Sequence, residues 1–314
     1  MGTPEFAVPS LEILHKNGFA VSCVVTAPDK PAGRGQKIKQ SAVKTYAIAN
    51  GLKILQPTLL KDLVFLKELA ALKANLYVVV AFRMLPEEVW GMPDYGTINL
   101  HASLLPDYRG AAPINHAIMN GEEETGLTTF FIRHEIDTGD ILFQQKVKIQ
   151  NQETAGELHA RMKEIGAGLL LKTVVAISSG DYKRRVQDDL MIKSTGELKK
   201  APKIFHNDCK INWKNNSDSI YNQIRGLSPY PAAYTELKSA GGKGFLIKVF
   251  EVEKHLVRHQ DIPGSIHTDG KKELCIFSND GWLNLKKVQL EGRGKHDIEQ
   301  FLRGFKINNS WVAV

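Results

Sequence analysis

"GTINLHASLLPDYRGAAP", residues 96–113, is the stretch whose reading decides the fold. Its opening alternates Thr97, Asn99 and His101 with Ile98 and Leu100, the period of two that marks a β-strand. Leu-Leu-Pro and then Arg-Gly follow, and a strand cannot run on through such turn formers. Residues two apart share a face, so Asn99 and His101 stand together at the C-terminal tip of this strand. In open α/β sheets that tip is where ligands bind.

Outward from this strand, short apolar runs at 19–27, 52–56, 74–82 and 127–134 read as further strands. Between them, 8–18, 41–51 and 62–73 space their apolar residues at three and four, as amphipathic helices do. The pattern predicts an α/β domain with a mostly parallel sheet over residues 1–180, closed by a helix over 154–180. Residues 181–202 are polar and charged and read as a linker. Residues 203–314 carry β-type runs between Gly and Pro turns, which predicts a small β-barrel. The chain opens on "MGTPEF", which reads as the turn after a first strand, so a strand of about six residues is expected upstream.

A chain of 314 residues fits two domains. Three scattered cysteines, Cys23, Cys209 and Cys275, fit reduced packing residues better than a disulfide framework. No apolar run is long enough to span a membrane and no secretory signal is evident, so a cytoplasmic location is expected. His116 and His134 lack the spacing of a metal set, and no metal is expected. The net charge is +7, and residues 201–314 hold 17 Lys and Arg against 12 Asp and Glu. Such an excess suits either a polyanionic partner such as nucleic acid or merely a soluble basic surface.

The strand tip suggests acyl-transfer chemistry. An Asn amide can donate to a developing oxyanion, and a neighbouring imidazole can donate as a cation or relay a proton. Alternatively both residues simply end a strand. The run at 127–134 leads into "EIDTGD" (135–140), where Asp137 and Asp140 are either turn formers or a source of one carboxylate that orients His101. Arg109 has two readings, contact with an anionic group or with a nearby carboxylate.

"NLHASLLPDYRGAAP" with the later "DTGD" resembles the folate-dependent formyltransferases. "TAPDKPAGRGQKIKQSAVK" (26–44) and "IRGLSPYPAAYTEL" (224–237) narrow the resemblance to the branch that acts on initiator methionyl-tRNA. The resemblance spans nearly the whole chain. It implies a Rossmann-like catalytic domain and an OB-like tRNA-binding barrel in a monomer. It also implies formyl transfer from 10-formyltetrahydrofolate to the α-amine of the methionine, with Asn99, His101 and Asp137 catalytic. Folate contacts are implied for Ser103, Leu104, Leu105 and Pro106, and for Phe82, Arg83, Met84 and Leu85 in a loop one residue shorter than the family form. The basic loop with Lys30, Arg34, Lys37 and Lys39 is implied to enter the acceptor stem. In the barrel, Lys243, Lys248, Lys286, Lys287, Arg293 and Lys295 are candidate RNA contacts.

The nearest rival is a formyltransferase acting on an amino-sugar nucleotide or purine precursor, which does not account for the basic loop. A non-catalytic RNA-binding protein leaves the Asn, His and Asp set unexplained. A dinucleotide oxidoreductase fits least, because "GTPEFA" is not Gly-x-Gly-x-x-Gly and no ribose-binding acidic residue follows a second strand.

Overall fold

The structure is a computed structural model describing residues 1–32, 37–192, 197–239, 241–242 and 244–314. It divides into two compact units. One comprises Met1–Gly110, Thr125–Lys148 and His159–Lys200; the other comprises Ala111–Glu124, Ile149–Leu158 and Ala201–Val314. The division differs from the expected boundaries in two places. Residues 111–124 and 149–158 join the second unit, and 181–200, read as a linker, packs with the first.

In the first unit β1 (Val24–Val25) pairs in parallel with β2 (Ile54–Leu55), and β3 (Tyr77–Val80) with β4 (Thr97–His101). Next to β4 runs β5 (Glu124–Phe131), antiparallel, and beyond it β6 (Ile141–Lys148). The Val and Ile content of these runs favours the pleated conformation, and the near-complete burial of β1, β3, β4 and β5 matches a sheet covered on both faces, whereas β6 exposes Gln145, Lys146 and Lys148. Helices α1 (Val8–Lys16), α2 (Ala42–Ala49), α3 (Leu63–Ala71) and α5 (Ala155–Ser179) follow the predicted spacing, and a short helix α4 (Glu87–Trp90) that the sequence reading did not include follows β3. Ser41 and Asp62 cap α2 and α3 by accepting from Lys44 N and Phe65 N, which satisfies amides left open at a helix start. A Cβ at Gly166 would lie 2.9 Å from Leu100 Cδ2, so a residue without one lets α5 settle closely on β4, the strand that carries the candidate site.

Met1 and Gly2 lie between β1 and β3. Gly2 N donates to Val25 O at 3.0 Å, Val80 N donates to Met1 O at 3.0 Å, and Gly2 forms a parallel bridge to Val80. The Met1 ammonium donates to Val78 O at 2.6 Å, and burial pushes its pKa down to about 6. Alongside lies a cavity of about 360 Å³ lined by Met1, Leu14, Val24, Leu69, Tyr77 and Ile177 among others. The run at 19–27 forms a ladder of two residues, Val24 and Val25.

In the second unit α7 (Ser217–Leu227) follows α6 (Gln187–Ile192) of the first in chain order and is capped by Asn216. The strands are β7 (Ala233–Lys238), β8 (Gly244–Leu256), β9 (Ile266–Thr268), β10 (Leu274–Phe277), β11 (Gly281–Leu290), β12 (Lys295–Asp297) and β13 (Val312–Ala313). They pair antiparallel in the order β9-β10-β11-β8-β7-β13, with β12 also on β11. A bridge from Ser265 to Val312 brings the two ends together, giving a nearly closed barrel. The helix Pro113–Met119 packs on α7, where a Cβ at Gly226 would come within 2.6 Å of Met119 Cγ, and Asn115 Nδ2 donates to Gly226 O at 2.7 Å. These contacts explain why residues 111–124 belong with the barrel. Among the described residues, no helix is long and apolar enough to cross a membrane.

His159 of α5 packs against Phe6 with ring centroids 5.0 Å apart, and burial holds its pKa below the usual imidazole value. The folded state therefore prefers the neutral ring. Above about pH 6.5 both states are neutral; below it the unfolded chain protonates first and stability falls until the folded ring titrates too. Urea midpoints measured from pH 7.5 to 5 should drop less for His159→Gln than for the wild type, and parallel curves would contradict this.

Candidate active site

His101 closes β4 and is 6% exposed. Its Nε2 lies 2.9 Å from the carbonyl oxygen of Tyr108. A carbonyl only accepts, so in this arrangement Nε2 carries a proton and donates it. Nδ1 then faces Asp137 Oδ2 at 3.7 Å. That separation exceeds hydrogen-bond range, so the carboxylate faces the ring without bonding it. Asn99, two residues back on the same face, is half-buried, and its amide makes no hydrogen bond among the described residues.

Asp137 sits in the left-handed region with φ 56°, a conformation that Asp tolerates better than most residues. Its Oδ2 also accepts from Gly110 N at 3.0 Å, tying the Arg-Gly turn to the Asp-Thr-Gly-Asp turn. A Cβ on Gly139 would lie 1.6 Å from Phe131 O, so no other residue fits there. Asp140 plays no part at the ring. It is buried, and its Oδ1 pairs with Arg133 at 2.8 Å. Arg109, for which an anion or a carboxylate was expected, donates from Nε and Nη2 to Gln187 Oε1 at 3.1 and 2.6 Å.

The Ser-Leu-Leu-Pro loop is suspended on polar contacts. Thr128 Oγ1 donates to Ser103 O at 2.7 Å and accepts from Leu105 N and from Gln144 Nε2, while Gln144 Nε2 also reaches Leu105 O. Ser103 is fully buried with its hydroxyl committed to Asp107 O, and Leu105 is buried against Phe130 and Ile141. These two implied folate contacts thus serve the loop itself in this structure. Leu104 and Pro106 remain half-buried, with Leu104 lying over Gly126.

Of the other implied folate residues, Arg83, Met84 and Leu85 line an open groove of about 1280 Å³. Met84 is 74% exposed on its rim, whereas Leu85 is buried and packs with Phe82 in the core beneath. Arg83 donates to Thr58 O at 2.7 Å and to Pro57 O, so its fork clamps the neighbouring loop. Glu135 and Ile136 form part of the same groove and lead directly to Asp137.

The basic loop departs from its reading as irregular chain. Residues Lys30–Ala32 and Lys37–Lys39 pair as an antiparallel hairpin with Lys30 opposite Lys39. Both of these side chains are exposed. Lys44 pairs with Asp29 at 2.6 Å, Gln56 joins at 2.9 Å, and Thr26 Oγ1 meets Ser41 Oγ at 2.8 Å, so the root of the hairpin is anchored. Arg34 lies outside the described residues, as does the side chain of Lys37. In the barrel, Lys286 pairs with Glu253 at 2.7 Å, Lys287 faces Glu251 and Asp297, Lys248 donates to Pro231 O, and Lys295 stands over the Phe250 ring. These four candidates are already engaged, and Lys243 falls outside the described residues.

Residues that the sequence did not flag complete the site: Tyr108, Thr128, Gln144 and Gln187. Tyr108 lies in the quoted 99–113 stretch, where its backbone carbonyl carries no signal in the letter; Thr128, Gln144 and Gln187 belong to no recognisable short motif, and Gln187 lies within the charged run at 181–202.

The formyl transferase family model matches residues 1–174, and the model of the formyl transferase C-terminal domain matches residues 203–306. The chain belongs to the formyl transferase family. A methionyl-tRNA formyltransferase of Parabacteroides distasonis is 50% identical over 307 residues, covering 98% of this chain and 94% of the relative. One of Bacteroides fragilis is 48% identical over 311 residues, 99% of this chain and 95% of the relative. Among solved structures, an N-formyltransferase from Helicobacter canadensis in complex with folinic acid and dTDP-3-aminofucose superposes with a TM-score of 0.64 at 23% identity, covering 90% of this chain and 96% of that one. HypX from Aquifex aeolicus in complex with tetrahydrofolic acid gives 0.57 at 20% identity over 81% of this chain and 43% of its own. Both share the fold.

Gly139→Ala should cost about 1–3 kcal/mol through the forced shift of the turn. It should lower formyl transfer more than a stability loss of that size accounts for at 25 °C. Wild-type activity in this variant would show that the turn is not tightly coupled to the site.

Proposed function

We propose that this enzyme transfers a formyl group from 10-formyltetrahydrofolate to the α-amine of methionine carried on initiator tRNA. Support comes from near-full-length likeness to relatives named for that activity. The single geometric observation that carries the reading is the pairing of the His101 ring with Asp137, beside the Asn99 amide at the tip of β4.

The groove beside residues 82–86 and 134–136 has apolar walls and polar edges, which suits a flat heterocycle. When bound there, the folate co-substrate supplies an activated formyl carbon. Asn99 is the donor to the formyl oxygen as negative charge builds on it. His101, with Nε2–H held by Tyr108, takes the proton of the attacking amine at Nδ1, where the Asp137 carboxylate stabilises the resulting cation. The sequence also gave His101 a share in holding the oxygen; with its two nitrogens directed at Tyr108 and Asp137, proton handling becomes its first task. As the new carbon–nitrogen bond forms, the bond to the donor nitrogen breaks, and the proton from the amine passes to that departing nitrogen. The hairpin lysines Lys30 and Lys39, together with Arg34 and Lys37, provide positive charge for the RNA backbone.

Asn99→Ala should lower kcat by about 10² or more, the scale of a lost oxyanion donor. His101→Ala should fall in the same range for loss of acid–base catalysis. Turnover near wild type in His101→Ala removes the ring from the mechanism. Transfer should be fastest to methionine-charged initiator tRNA, slower to the elongator, and undetectable with an amino-sugar nucleotide; the reverse order would reassign the acceptor. Lys30→Ala with Lys39→Ala should weaken tRNA binding and flatten its dependence on log salt by roughly one per lysine. An unchanged slope would separate the hairpin from the RNA.

A further inference from the structure

Gln187 stands at the start of α6, in the charged run that sequence alone assigns to a linker, yet it is 1% exposed. Its amide engages two turns at once. Nε2 donates to Asp137 O at 2.9 Å and to Gly139 O at 2.8 Å. Oε1 accepts the Arg109 fork at 3.1 and 2.6 Å. Both amide hydrogens and both lone pairs are thereby used, which is the full capacity of a glutamine. Residue 187 is brought there by backbone pairing, since Ile141 N donates to Arg185 O at 2.8 Å and Arg185 N donates to Ile141 O at 2.9 Å.

We infer that Gln187 is a positioning residue for formyl transfer, holding the 137–139 turn so that the Asp137 carboxylate faces His101. The inference rests on the role given to Asp137 under the proposed function. Asp137 has a left-handed backbone and a carboxylate 3.7 Å from the ring, so a small rotation of its peptide would carry Oδ2 away. The Coulomb term that favours a proton on Nδ1 weakens with that distance. Two polar carbonyls without donors in a buried turn would also force the backbone to move. No other amino acid reproduces the arrangement: Glu keeps the acceptor for Arg109 but loses both donors to the carbonyls, and Ala loses everything.

The test is a double-mutant cycle on the full-length enzyme, with Gln187→Ala and Gln187→Glu each made in the wild type and in Asp137→Asn. In the wild type, both changes should lower kcat by about 10-fold or more, with KM for the tRNA and the folate donor within about twofold. In Asp137→Asn the same changes should cost less than about twofold, because the group they position has already lost its charge. Circular-dichroism melting of each variant identifies loss through unfolding, and Gln187→Glu, nearly equal in shape, provides the comparison if Gln187→Ala melts early. Equal losses in both backgrounds, a change in KM alone, or wild-type kcat in Gln187→Glu would overturn the inference. If instead Asp137→Asn by itself keeps full kcat, the role of Asp137 falls, and the inference with it; the single variant reports that failure separately.

Discussion

No side-chain atom fits between residue 139 and the carbonyl oxygen of Phe131, and that steric limit governs the geometry of the whole site. Because the chain can pass so close to its own strand, the connection over residues 132–140 closes tightly at its base, where Phe131 N reaches Asp140 O at 3.0 Å. Within that return Asp137 takes a left-handed backbone, and its carboxylate faces Gly110 N and His101. A looser turn would leave the same residues in the sequence and separate them in space.

The loops beside His101 are buried in part, at Ser103, Leu105, Tyr108 and Asp140, and there the polar backbone groups need partners. Side chains fill that need where no ladder is available. One threonine hydroxyl, at position 128, serves Ser103, Leu105 and Gln144 together. Arg185 adds a further link by donating to Gln144 Oε1 at 3.2 Å. The site is thus a set of irregular turns made rigid by amide and hydroxyl groups on neighbouring strands, and its precision comes from those supports more than from the residues that meet substrate.

Periodicity revealed what is periodic. The strand with Asn99 and His101, the helices that cover it and the barrel after residue 203 all follow from alternation, threefold-to-fourfold spacing and turn chemistry. The pairing of His101 with Asp137 joins residues 36 apart; strand order allowed a carboxylate from the 135–140 turn to meet the ring, and the likeness to known enzymes singled out Asp137 over Asp140. Burial of Ser103 and Leu105 was hidden because a polar or apolar letter in a loop carries no period. Gln187 was hidden by its neighbours: Arg184, Arg185, Asp188 and Asp189 give the run a solvated character, while one uncharged amide among them turns inward. The assignment of residues 111–124 to the barrel unit depends on Gly226 and Asn115, whose contacts span more than a hundred positions.

The hairpin register has a consequence of its own. Lys30 and Lys39 stand directly opposite on adjacent strands, and like charges in that relation oppose pairing by a few tenths of a kcal/mol or more. An anion lodged between the two ammonium groups reverses the sign of that term, so the hairpin is firmer when occupied than when bare. Ionic strength then acts on it in two directions, relieving the internal repulsion while loosening any grip on a polyanion. Rigidity and occupancy rise together in such an element, without a hinge or any rearrangement of the fold.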